Sequence, residues 1–153
     1  MSEHYQLRDR GHRRYGTGMS EHAAILFAND AFYIAFASCD YEAMETLWSE
    51  SETIACIHPG WDALIGRDEV MESWGAIMEN TGEMDIRCSH AKAHVFGSFG
   101  YVICYEGTDE ITLVATNVFV LEGSKWRMVH HQAGPAPAAF DEDDEEEPPE
   151  TMQ

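Results

Sequence analysis

Basic residues are scarce: nine Lys and Arg stand against 28 Asp and Glu in 153 residues, a formal net charge of −19. Such a surface repels phosphate backbones and anionic headgroups, which argues against nucleic-acid binding and against membrane association. Long apolar runs are missing too. None approaches the ~20 residues that cross a bilayer, and the N-terminus has no long apolar core of an export signal. The four cysteines, Cys39, Cys56, Cys88 and Cys104, include no CxxC pair, so neither a zinc ribbon nor a redox motif is indicated. Scattered thiols in a chain without an export signal read as buried and reduced, which places the protein in the cytoplasm. No Gly-rich phosphate loop, GxSxG elbow, HxH pair or HExxH occurs. No cofactor and no metal are therefore expected.

What is present falls into three parts. Residues 1–19 are polar and Gly/Arg-rich without periodicity, and read as a disordered leader. Met19-Ser20-Glu21-His22 repeats the opening Met1-Ser2-Glu3-His4, which makes Met19 an alternative start. Residues 139–153 read as a disordered acidic tail, with eight acids and no base between 141 and 150. Between them, 20–138 carries one pattern. Apolar residues at Ile25, Ala28, Phe32, Ala35 and Phe36 predict a helix over 20–37, capped by Ser20. Asp40 caps a short second helix holding Met44, Leu47 and Trp48. Residues 53–57 are β-branched and end at Pro59-Gly60 as a strand. Residues 67–78 predict a third helix, with Gly82 beyond its end. Alternating runs over 84–96, 99–106, 111–121 and 125–133, separated by tight Gly turns, predict an antiparallel meander. Three helices followed by a meander is an α+β order: a curved sheet packed on three N-terminal helices, in a cone-like shape.

This order resembles the nuclear transport factor 2-like superfamily and its SnoaL-like domains. Ala37-Ser38-Cys39-Asp40-Tyr41-Glu42-Ala43-Met44 is similar to the family's entry into its second helix. Ile57-His58-Pro59-Gly60-Trp61, followed by Leu64-Ile65-Gly66-Arg67-Asp68-Glu69-Val70, resembles its "HPG…GR" segment. Residues 125–135, Lys-Trp-Arg-Met-Val-His-His-Gln-Ala-Gly-Pro, resemble its closing strand and the end of the calcium/calmodulin-dependent kinase II association domain. The resemblance implies the fold; the fold itself hosts many activities and also non-catalytic hubs. In ketosteroid isomerase, a member of the superfamily, a carboxylate base, a tyrosine and a protonated carboxyl act together. The place of the base, before a proline at the end of the first strand, is held here by His58. That of the protonated carboxyl falls on Asn117, and that of the tyrosine on Phe32, with Tyr33 beside it. These departures argue against steroid isomerisation itself.

The residues make a case of their own. A histidine titrates near pH 6.5, so His58 suits proton transfer at neutral pH, and an apolar setting keeps it neutral. Asn117 lies on one strand face with Leu113, Ala115, Phe119 and Leu121, where an amide needs a partner and its NH₂ could donate to a carbonyl or a developing oxyanion. Phe32, Tyr33, Phe36, Trp48, Trp61, Trp74, His90, Tyr105, His130 and His131 are the candidate pocket walls. His130 and His131 are adjacent in a strand, so only one faces inward. His90 and His94 share a strand face. The expected function is that of a small-molecule-binding domain, an isomerase, hydrolase or cyclase type acting on a small apolar carbonyl metabolite with a histidine base. The alternative is a non-catalytic association module, and a homodimer suits both.

Overall fold

The computed structural model describes residues 20–137; the leader over 1–19 and the tail over 139–153 lie outside the described residues. Ser20 accepts a hydrogen bond from the Ala23 N–H and starts α1 (Glu21–Ala37). Asp40 does the same through the Ala43 N–H for α2 (Tyr41–Leu47). Each such cap stabilises its helix by about 1 kcal/mol. α1 buries Ile25, Ala28, Asn29, Phe32 and Tyr33, one face at helical spacing. Two of those five are polar, and they decide the chemistry of the interior.

A short strand β1 (Ala55–Ile57) and a two-residue β2 (Leu64–Ile65) bracket the Pro59-Gly60 loop. α3 (Arg67–Thr81) then begins at Gly66, with Asp68 and Glu69 in its first turn favoured by the helix dipole, and ends at Gly82 in the left-handed region. It runs one turn past the expected end at Met78. The meander follows as β3 (Arg87–Phe96), β4 (Phe99–Gly107), β5 (Thr112–Glu122) and β6 (Lys125–Pro135).

All six strands form one curved sheet in the order β2-β1-β6-β5-β4-β3, open at both edges. The meander is antiparallel as expected, but the whole sheet is mixed, because β1 runs parallel to β6. That pairing sets Cys56 beside His131 and brings the loop of His58 to the sheet. Gly100 has no room for a side chain: a Cβ would stand 2.7 Å from Ile25 Cδ1 and 2.8 Å from the His94 carbonyl, so its hydrogen lets α1 lie directly on β4.

Two bulges set which residues face the helices. In β6 the register shifts between Val118↔His130 and Phe119↔Met128, leaving Val129 as the extra residue. Trp126 and Met128 face inward before the bulge, His131 and Ala133 after it. In β3 the register shifts between Ser89 and Lys92, with His90 in the left-handed region at φ 53°.

Candidate functional site

The interior under α1 and α3 is polar at its centre. On β5, Asn117 is fully buried; its Nδ2 donates to Asn29 Oδ1 at 2.8 Å and to Tyr33 Oη at 3.1 Å, both from α1. Its Oδ1 accepts from His131 Nδ1 at 2.5 Å, across the directly opposed position of β6. Asn29 Nδ2 continues to Cys88 Sγ at 3.6 Å, and the Tyr33 hydroxyl meets Cys104 Sγ at 3.3 Å. Both amide hydrogens of Asn117 are thus given to protein groups. The oxygen-holding role expected of its NH₂ has no free donor here, and Asn117 instead ties three elements together.

Directly above lies a ring cluster. Trp74, on α3, packs edge-on against Phe32 at 5.4 Å, Phe36 at 5.0 Å and His58 at 4.7 Å between ring centroids. Its ring also lies 5.7 Å from that of His131. Trp61, 46% exposed, closes over His58 from outside at 4.8 Å.

His58 Nε2 lies 2.9 Å from Ser73 Oγ, and Ser73 Oγ lies 2.6 Å from the Val70 carbonyl. A carbonyl has no proton to give, so the serine hydroxyl donates to Val70 and accepts from His58. Nε2 therefore carries the ring proton and Nδ1 the lone pair. Cys56 Sγ stands 3.9 Å from that Nδ1. Burial lowers His58 to about 4, so it is a neutral base at physiological pH. Burial, with the nearby His58 and His130, lowers His131 to about 3. Burial pushes the Cys56 thiol up to about 12, so it stays protonated.

Sequence reasoning missed Glu106. It follows Val102 and Cys104 at alternate positions of β4 and shares their buried face, only 4% exposed. Burial pushes its carboxyl up to about 7, against a smaller opposing pull from the Tyr33 hydrogen bond. Oε2 meets no hydrogen-bonding partner among the described residues. The parity of 102, 104 and 106 was the available signal; a carboxylate at a strand end reads instead as the start of a turn.

The remaining expectations divide. Phe32, Tyr33, Phe36, Trp61, Trp74, His58, Asn117 and His131 come together. Trp48 is fully buried, but its strand-like bridge is to Met128. Tyr105 projects from the face of β4 opposite Cys104 and Glu106, where its ring meets His90 at 6.3 Å, so these two leave the interior cluster. His94 stacks on Tyr101 on that same outer face. His130 alternates outward from His131. All four cysteines are free thiols. Among the described residues no group of three His, Cys, Asp or Glu is placed to hold a metal, and no helix is long and apolar enough to cross a membrane. A groove of about 570 Å³ opens elsewhere, between α1, the end of α2 and the β5–β6 turn, lined in part by Phe27, Arg67, Lys125 and Arg127; none of the expected site residues reaches it.

Comparison with known proteins agrees with this architecture. The family model for a SnoaL-like domain matches residues 25–138. A candidate dehydratase of the NTF2-like family from Streptomyces avermitilis is 30% identical, with a TM-score of 0.69 over 76% of this chain and 96% of that one. A candidate calcium/calmodulin-dependent protein kinase type II association domain from Thiobacillus denitrificans is 31% identical, with a TM-score of 0.66 over 71% of this chain and 92% of that one. The F-box protein SKIP8 of Arabidopsis thaliana is 27% identical over 112 residues, 72% of this chain; the chain spans 48% of that protein's length.

Proposed function

The chain belongs to the SnoaL-like domain family, and on that premise we propose that it binds a small, mostly apolar, uncharged carbonyl compound and moves a proton on it. His58 is the base. A C–H bond next to the carbonyl breaks, its proton goes to Nδ1, and the electron pair moves onto the carbonyl oxygen. Glu106, about half protonated near neutral pH, is the group that can return a proton. Asn117 is a positioning residue that fixes His131 and Tyr33. The observation that carries this reading is a buried imidazole whose Nδ1 meets no stronger donor than the Cys56 thiol among the described residues, in the same interior as a buried carboxyl whose Oε2 has no hydrogen-bonding partner among them. Buried polar groups are nearly always partnered, so an unsatisfied one in the same interior as a neutral base is a reason to look for a ligand. Among the described residues no Lys or Arg is buried, which supports an uncharged one. The similarity to a candidate dehydratase supports proton chemistry of this class.

A thermal-shift comparison tests it. Acetophenone is flat, apolar and carries acidic C–H bonds; benzoate is its anionic counterpart. The expected result is a raised melting temperature with acetophenone and none with benzoate, because a ligand bound only by the folded state stabilises it. No shift with acetophenone, or equal shifts with both, contradicts the reading.

A second reading is supported by the outer sheet face. Phe96, Phe99, Ile103 and Val114 are exposed there beside Tyr101. A contiguous apolar face of this kind suits a homodimer, and one similar structure is a candidate association domain. Light scattering at the mass of two chains supports it; the mass of one chain removes it.

A further inference from the structure

Two buried indole N–H groups have no acceptor among the described residues, those of Trp48 and Trp74. Both side chains are fully buried, and an N–H buried without a partner carries a desolvation cost. Trp48 sits where the backbone bridges Met128 of β6. Trp74 differs: its ring touches that of the candidate base at 4.7 Å and stands 5.7 Å from His131. Neither histidine accepts its proton. Around His58 the other donors are spent: Ser73 donates to the Val70 carbonyl, and Asn117 gives its hydrogens to Asn29 and Tyr33. Trp61, the other indole against His58, is 46% exposed, so the Trp74 N–H is the fully buried uncommitted donor of this ring cluster among the described residues.

We propose that the Trp74 indole N–H holds the oxygen of the uncharged carbonyl ligand while His58 faces the neighbouring C–H bond. This rests on the proposed function and assigns the oxygen-binding role that Asn117 cannot fill. It also narrows the ligand class. An indole N–H donates and never accepts, so the ligand must present an acceptor oxygen there; a hydrocarbon of the same shape leaves the N–H unpaired. Donation to a ketone oxygen grows stronger as negative charge develops on it, so the contact favours the enolate over the ketone.

The test uses ¹⁵N-labelled full-length protein, in which the four indole N–H signals are assigned by single Trp→Phe variants. Acetophenone and ethylbenzene are titrated separately. The expected result is a downfield move of the Trp74 signal with acetophenone, no such move with ethylbenzene, and acetophenone affinity about tenfold weaker in Trp74→Phe, a loss of the size of one hydrogen bond. The wild-type signal answers the question even where Trp74→Phe fails to fold. If acetophenone binds in a His58-dependent way while the Trp74 signal stays still and Trp74→Phe binds equally well, the inference is overturned and the proposed function stands. If acetophenone does not bind the wild-type protein at all, both fall together.

Discussion

His131 and Asn117 face each other across β6 and β5, with Nδ1 and Oδ1 2.5 Å apart in a fully buried setting. The amide carbonyl can only accept, so it fixes the proton of His131 on Nδ1. From there the donors run one way: His131 to Asn117, Asn117 to Tyr33 and Asn29. One side chain thereby locks the first helix to the closing strands.

Replacing Asn117 by Ala strands three buried partners at once. A drop in unfolding free energy of about 3 kcal/mol is expected, because each orphaned polar group carries a desolvation cost. Urea denaturation measures it. A loss under about 0.5 kcal/mol would mean that the network contributes little and that the partners rearrange freely.

Glu106 makes stability depend on pH. Its carboxyl titrates near 7 in the fold against 4.5 for an unperturbed glutamate. The fold favours the protonated form, so this contribution is present below pH 4.5 and is lost as pH rises through 7. Glu106→Gln keeps a neutral side chain throughout. The variant should match the wild type at pH 4.5 and exceed it by up to about 3 kcal/mol at pH 8. His58 and His131 act in the opposite sense: their neutral forms are favoured, and their contribution is lost as pH falls below 6.5 through about 4 and about 3. Between pH 4.5 and 6.5 the wild-type carboxyl opposes them, so acid destabilisation should be steeper in the variant. Equal pH profiles for the two proteins would contradict the placement of Glu106.

Trp61 is the outer cover of His58, on the loop that turns at Gly60. Removing it lets water reach the imidazole. In Trp61→Ala the His58 titration should move up from about 4 toward 6.5, followed by its ring-proton shifts in NMR. A titration that stays near 4 would show that other residues keep His58 dry.

Much of this was legible in the residues. Ser20 and Asp40 announce their helices because a side-chain oxygen at that place satisfies a free N–H. The four long strands follow from alternation and Gly turns. The interior was only partly legible, for a physical reason. Strand faces are read by counting in twos, and one extra residue inverts the count. Counting from Trp126 and Met128 would send His130 inward; the bulge at Val129 sends His131 instead. The parallel pairing of β1 with β6 joins residues about 75 apart and leaves no local trace. Glu106 was hidden because polarity at a strand end argues for exposure, while its neighbours Val102 and Cys104 bury it. Asn117 was found, but its role was not: what an amide donates to depends on Asn29 and Tyr33 of a distant helix.

Proton transfer at this site depends on the protonation of one ring. The ¹⁵N shifts of His58 report directly which nitrogen bears the proton. Nε2 protonated and Nδ1 bare is the predicted state, unchanged from pH 8 down to about 5. A proton on Nδ1, which would leave the lone pair on the nitrogen that faces Ser73, or an imidazolium already formed at pH 6.5, would contradict it.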